Sequence, residues 1–171
     1  MIQQIIFETK PDFIIEKGTG TGACALYYAA VLEGTQNVGS ILTVDHTNLH
    51  AASQRSPLWR HHLQFLEGNA TDAPIVKTIG DRVKGHHVLV VLAADSSANV
   101  LAALQSYAPI VTRGSYVIVE GAPLDGTHAP AGDNDAVDRF LAGGGSRDFE
   151  RDRSREAVLW TSSPGGWLER K

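Results

Sequence analysis

Phe13-Ile14-Ile15-Glu16-Lys17-Gly18-Thr19-Gly20-Thr21-Gly22 runs directly into Ala23-Cys24-Ala25-Leu26-Tyr27-Tyr28-Ala29-Ala30-Val31-Leu32. A short apolar run closed by an acid reads as a buried parallel strand. Glycines and threonines follow it. Next comes a long apolar run of good helix formers, which Gly34 stops. The order is strand, glycine loop, helix.

The same alternation continues outward. Ile41 to Asp45 is a second strand, again closed by an acid, and Leu63 to Gly68 is a third. Between them, His46 to His62 reads as a looser segment carrying Pro57 and Trp59. Thr71 or Asp72 caps a helix reaching Val83, with Pro74 in its first turn. His87 to Leu92 is the clearest strand, Asn99 to Tyr107 a helix, and Gly114 to Glu120 a fifth strand. A Gly/Pro/Asp-rich loop from Gly121 to Asp133 precedes a helix over Asn134 to Leu141, which Gly143-Gly144-Gly145 breaks. Strand pieces fall around Phe149 and Ala157 to Thr161. The turn Pro164-Gly165-Gly166 then leads into an antiparallel partner at Trp167 to Arg170. Such alternation predicts a mostly parallel sheet covered by helices on both faces, with right-handed crossovers. The 171 residues suit one domain, 1–171, with no internal repeat.

Net charge is −4 and no Lys/Arg block stands out, so nucleic acid is not an expected partner. The mixed-sign run from Arg147 to Glu156 reads as a solvated loop or edge strand. The single cysteine, Cys24, excludes an internal disulfide and a Cys-based zinc site, and reads as a small core residue. There is no signal-peptide pattern and no apolar stretch of membrane-spanning length. The expectation is a cytoplasmic protein with no membrane partner.

In an open parallel sheet, ligands bind beyond the carboxyl ends of the strands. Glu16, Asp45, Asn69 and Asp95 fall there, and Glu120 ends the fifth strand. Glycines let the backbone approach a ligand closely, and the helix start offers free N–H groups. Asp45 is placed to accept hydrogen bonds from both hydroxyls of a ribose. The plain alternative is that the glycines only turn a strand into a helix. The Walker spacing is absent, since Ala23-Cys24 follows Gly22. NAD stays open as a ligand. An acid before the first glycine and an antiparallel carboxy-terminal pair fit S-adenosylmethionine and the class I methyltransferase plan better.

The stretch Lys10-Pro11-Asp12-Phe13-Ile14-Ile15-Glu16-x-Gly18 resembles the opening of the cephalosporin hydroxylase-like and rhamnosyl O-methyltransferase family. So do Ala108-Pro109-Ile110-Val111-x-x-Gly114-Ser115-Tyr116-Val117-Ile118-Val119-Glu120, Ala136-Val137-Asp138-x-Phe140-Leu141 and Pro164-Gly165-Gly166-Trp167-Leu168. The resemblance covers nearly the whole chain. It implies a Rossmann-like methyltransferase fold, S-adenosylmethionine binding, and O-methylation of a sugar or natural product, in some members with Mg²⁺. Carried over by position, Glu16, Gly18, Gly20 and Gly22 line the cofactor, Asp45 holds the ribose and Asn69 lies near the adenine. The family's metal acids follow the fourth and fifth strands. Here Ala93 and Gly121 stand at two of those places, leaving Asp95 and Glu120 as the candidate Mg²⁺ ligands. The resemblance also places Met1 at an internal family position, so the helical segment that usually precedes it is missing. The acceptor pocket is then open or completed by another subunit, as in a homo-oligomer.

Methyl transfer needs alignment of acceptor oxygen, methyl and sulfonium, and a group that takes the acceptor's proton. His46 and Asp95, both at strand ends, are the candidate catalytic bases; His50, His61 and His128 lie on loops and are weaker candidates. The pairs His61-His62 and His86-His87 raise the idea of a metal. Adjacent strand residues point to opposite faces, so His86 and His87 are not expected to share an ion. Three functions stay open: an O-methyltransferase for a small molecule, a lyase- or cyclase-type enzyme on the same scaffold, and a cofactor-binding protein without chemistry.

Overall fold

The computed structural model describes residues 1–121, 132–156, 161 and 163–171. Of the strand expected over Ala157 to Thr161, residues 157–160 with Trp160 lie outside the described residues and Thr161 is not in a strand; the loop positions 122–131 with His128 also lie outside them. Seven strands form a mixed sheet in the order β3-β2-β1-β4-β5-β7-β6. The chain divides inside β4 into two compact units, Met1–Leu89 and Val90–Lys171.

The first unit holds α1 (Ile2–Thr9), β1 (Phe13–Lys17), α2 (Ala23–Gly34), β2 (Ser40–Asp45), α3 (Pro57–His62), β3 (Leu63–Glu67), α4 (Ala73–Val83) and the start of β4 (Val88–Leu92). β1 pairs parallel with β2, Ile14 opposite Ile41 and Glu16 opposite Thr43. β2 pairs parallel with β3, Asp45 opposite Glu67. This register sets the ends of the three strands side by side. Ile14, Ile15, Ile41, Leu42 and Val44 are buried in the core. Each such side chain contributes about 1.5–3 kcal/mol through burial. α2 covers the core with Ala25, Tyr28, Ala29 and Leu32.

Two helices depart from the sequence reading. α1 buries Ile5 and Ile6 and ends at Lys10, whose φ of 45° turns the chain into Pro11. α3 orders part of the segment read as loose: Ser56 caps it by accepting from Leu58 N–H, Pro57 sits at its start, and Trp59 is buried. Asp72 occupies the N-cap of α4 as expected, with no side-chain capping bond.

The second unit holds α5 (Ser97–Tyr107), β5 (Tyr116–Val119), α6 (Gly132–Ala142), β6 (Phe149–Arg151) and β7 (Trp167–Arg170), with the rest of β4. β4 and β5 are parallel, Leu92 opposite Val119. β7 is antiparallel to β5 and to β6, so the carboxy-terminal antiparallel pair is present as β6–β7. The Pro164-Gly165-Gly166 turn docks on the end of β5, where Val119 N–H donates to Gly166 O at 2.9 Å. A Cβ at Gly166 would lie 2.1 Å from Val119 O, so glycine is required by close approach. Behind the strands, Tyr116 donates its hydroxyl to Asp152 at 2.8 Å, and Arg155 donates to both. Burial raises the Tyr116 phenol well above its usual value. At Asp152, burial acts upward but is outweighed by bonds from Ser154, Tyr116 and Arg155, which hold the carboxyl below the usual range.

Candidate cofactor site

The glycine loop leaves β1 at Lys17 and enters α2 at Gly22, its N-cap. Gly18, Gly20 and Gly22 have φ of 97°, 49° and 79°. Such angles disfavour side chains, which explains why glycine alternates through the loop. The room beside each glycine differs. A Cβ at Gly20 would meet nothing within 4 Å, so the backbone there is open to a ligand. A Cβ at Gly22 would lie 2.7 Å from Trp59 Cζ3, 3.0 Å from Ser53 Cβ and 3.2 Å from His50 Cβ. One glycine faces space and the other faces a wall.

Three sets of bonds hold the loop. Gly20 N–H donates to Asp45 Oδ2 at 2.9 Å. Thr43 donates its hydroxyl to Glu16, and Thr19 Oγ1 lies 2.6 Å from Thr43 Oγ1. A hydroxyl has one hydrogen to give, so Thr19 donates to Thr43 and Thr43 to Glu16. Glu16 and Thr43 are buried, so this relay ties the loop to β1 and β2 from beneath. On the far side, Ser53 donates to Thr21 O at 2.6 Å.

Asp45 ends β2 with its side chain 12% exposed. Its other oxygen accepts from Thr47 N–H at 3.1 Å and Thr47 Oγ1 at 3.2 Å. Burial pushes its carboxyl upward. The bonds from Gly20 and Thr47, with the charge of nearby His46, outweigh burial and hold it below the usual 3.8. It is an ionised acceptor at neutral pH. Asn69 follows β3 on the same edge, exposed, its oxygen accepting from Thr71 N–H and hydroxyl. Gly68 N–H donates to Asp45 O, which links the two strand ends.

The candidate bases are placed differently. His46 is 81% exposed with Nδ1 3.3 Å from Asp45 Oδ1, so it stands beside the acid in solvent. In the second unit, Asp95 Oδ1 accepts from Ser96 N–H at 2.7 Å and Asn99 Nδ2 at 3.0 Å, at the start of α5. Glu120 follows β5, its N–H donating to Leu92 O. Mg²⁺ requires several oxygen ligands in near-octahedral geometry. Among the described residues, no group of three or more His, Cys, Asp or Glu side chains is arranged to hold a metal ion. His61 and His62 each lie 3.8 Å from the same Glu33 oxygen, His61 exposed and His62 largely covered, and elsewhere His86 lies 3.6 Å from Asp12.

Three residues, Cys24, His50 and His61, differ from the sequence reading. Cys24 is exposed on the first turn of α2, because the helix turns Ala25, Tyr28, Ala29 and Leu32 to the core instead. His50 lies on a loop as read but is fully buried between Trp59 and Phe65, whereas His61, also read as a loop residue, lies in α3 because Ser56 and Pro57 start a helix there. No local pattern announces the burial of His50; the aromatic neighbours are nine and fifteen residues away in sequence.

Residues 1–171 match the profile of the rhamnosyl O-methyltransferase/CmcI family. The chain belongs to that family. The rhamnosyl O-methyltransferase of Mycobacterium tuberculosis (strain ATCC 25618 / H37Rv) is 30% identical over 179 residues, covering 98% of this chain and 71% of the relative. That of Mycobacterium leprae is 29% identical over 183 residues, covering 99% and 76%. Among solved structures, CmcI with Mg and SAM superposes with a TM-score of 0.65 at 13% identity, covering 99% of this chain and 69% of that one. CalS11, a TDP-rhamnose 3'-O-methyltransferase, gives 0.65 at 18% identity, covering 99% and 76%. At such identities the likeness shows the family's fold. The mixed seven-stranded sheet flanked by helices is that of class I methyltransferases.

Proposed function

We propose that the chain is an S-adenosylmethionine-dependent O-methyltransferase acting on a hydroxyl of a sugar or other small natural product. Family membership supports the reaction class. The observation that carries the cofactor assignment is the open face of Gly20 beside the ionised Asp45, joined by the Gly20 N–H bond. A ribose brings two hydroxyl donors, and a carboxylate that is already fixed retains lone pairs to accept them. An acid at the end of the second strand suits a nucleoside and not an isolated phosphate.

The cofactor supplies a methyl group on a sulfonium. The protein's part is to hold and orient. Gly18 and Gly20 allow close backbone approach, Asp45 takes the ribose, and Asn69 offers an amide to the adenine edge. Glu16 acts from beneath the loop through Thr43 and Thr19. With the cofactor bound, the site would align the acceptor hydroxyl with that methyl group and relieve the hydroxyl of its proton. The hydroxyl proton would go to a carboxylate or imidazole, for which Asp95 and His46 are the candidates. Among the described residues a Mg²⁺ site is incomplete: Ala93 and Gly121 bring no ligand, Asp95 and Glu120 are the two carboxylates left, and no group of three or more ligating side chains is arranged for an ion. The reading carries a single domain over 1–171, a small-molecule acceptor, no nucleic-acid or membrane partner, and a cytoplasmic setting.

Calorimetric titration with S-adenosylmethionine and S-adenosylhomocysteine, with and without Mg²⁺, tests the proposal. Binding that Asp45→Ala abolishes supports it. Absence of binding by either compound overturns it. Binding without methyl transfer to any hydroxylated sugar would favour a cofactor-binding protein, and turnover without S-adenosylmethionine a lyase- or cyclase-type enzyme.

A further inference from the structure

His50 is fully buried, and neither of its ring nitrogens has a hydrogen-bond partner among the described residues. The ring stacks on Trp59, with centroids 4.8 Å apart and planes 10° apart, and lies 4.1 Å from the Phe65 ring. A neutral imidazole carries one donor and one acceptor, and leaving both unmet inside a protein is costly. A protonated ring there would be costlier still. What the ring gains is position. It stands where the chain after β2 turns back on the glycine loop: its Cβ packs against Gly22, and its carbonyl accepts from Gln54 N–H at 3.1 Å. That turn delivers Ser53 to Thr21 O.

We propose that His50 is a positioning residue for the cofactor loop: its neutral ring, gripped by Trp59 and Phe65, holds the 46–56 segment against Thr21 and Gly22, and protonation releases that grip and weakens cofactor binding in acid. The role rests on the cofactor reading of the glycine loop.

The charges around the ring agree with it. Trp59 and Phe65, which flank the ring, and Gly22, beside its Cβ, carry no group that ionises in this range. Burial lowers the His50 value below the usual 6.5, and the charge of Asp45 opposes burial without cancelling it. The clamped form is therefore the neutral one. Asp45 is ionised throughout the range in which histidine titrates.

The test is the Kd for S-adenosylhomocysteine from about pH 5 to about pH 8, where histidine changes charge. It is measured on wild type, His50→Phe and His46→Gln. In wild type the Kd is expected to be constant at the neutral end. In acid it should weaken towards a limit of about tenfold per pH unit. His50→Phe keeps the stacked ring and removes the proton site, so its Kd should not respond to pH. His46→Gln should keep the acid loss. If His50→Phe fails to fold, hydrogen exchange of the 46–56 amides in ligand-free wild type decides, with protection expected to fall in acid. A wild-type Kd that is flat with pH, an acid loss that survives in His50→Phe, or unchanged protection overturns the role of His50 alone. No binding at any pH overturns the cofactor reading, and the positioning role with it.

Discussion

Alanine at Gly20 and at Gly22 should separate binding from packing within one loop. Both glycines have positive φ, 49° and 79°. A side chain in that region costs about 1–2 kcal/mol. Gly20→Ala meets no atom within 4 Å, so that backbone term is its whole effect on stability. Gly22→Ala also drives its methyl to 2.7 Å from Trp59 Cζ3 and 3.0 Å from Ser53 Cβ. Overpacking of this kind adds about 1–3 kcal/mol, for a total of about 2–5 kcal/mol. In a chain of this size each kcal/mol moves the Tm by about 2–4 °C. Urea and thermal unfolding should therefore rank Gly22→Ala well below Gly20→Ala. Calorimetry with S-adenosylhomocysteine should show Gly20→Ala weakened at least about tenfold, or about 1.4 kcal/mol, because its methyl enters the space assigned to the ligand. Wild-type affinity in Gly20→Ala would refute that assignment. Equal stability of the two variants would refute the contact of Gly22 with Trp59.

Asp45→Asn removes the charge that Gly20 and Thr47 donate to, and should lower stability by about 1.5–3 kcal/mol in urea unfolding. Because the folded carboxyl lies below 3.8, its stabilisation is full above that value and is lost as pH falls through the folded value. Unfolding followed in acid should show this component in wild type and not in Asp45→Asn. Gly166→Ala places a methyl 2.1 Å from the Val119 carbonyl, which is backbone and cannot turn away. It should cost about 3 kcal/mol or more, read as a fall in the urea midpoint. Tyr116→Phe removes a hydroxyl shared by Asp152 and Arg155, which keep each other. A loss of about 1–2 kcal/mol in the same assay is expected.

What the sequence reveals follows from the range of the forces involved. Residues 13–34 are legible because each step is local: an apolar run, glycines that permit positive φ, then helix formers. Asp45 is legible because it ends a strand by the same local pattern. The buried state of His50 is not, since it depends on Trp59 and Phe65 arriving from α3 and β3. Thr43 is hidden for a related reason. Its partners Glu16 and Thr19 meet it only once β1 and β2 are in register. Cys24 reads as core because α2 is apolar on nearly all sides, and composition alone does not say which side faces the sheet. α1 carries a readable signal in Ile2, Ile5 and Ile6 ahead of Pro11. The looser segment hides α3 because Pro57 reads as a breaker, whereas after Ser56 it is a helix start.

The bonds on the glycine loop bear on how it binds. Thr19 is held from beneath, Gly20 by Asp45, Thr21 by Ser53, and Gly22 by the wall of Trp59 and His50. These consecutive residues are fixed from different elements, so little ordering remains to be done when a ligand arrives, and preorganisation of this kind favours affinity. If the bonds act as one unit, removing two should not be additive. Thr43→Val cuts the relay to Glu16 with little change of shape, and Asp45→Asn weakens the Gly20 bond. A double-mutant cycle on the S-adenosylhomocysteine Kd should give a coupling of at least about 0.5 kcal/mol, as contacts sharing a network do. Strict additivity would mean that each bond serves its own residue. The loop would then be a set of separate contacts, and its stiffness would have to come from the glycine backbone's own turn and from α2.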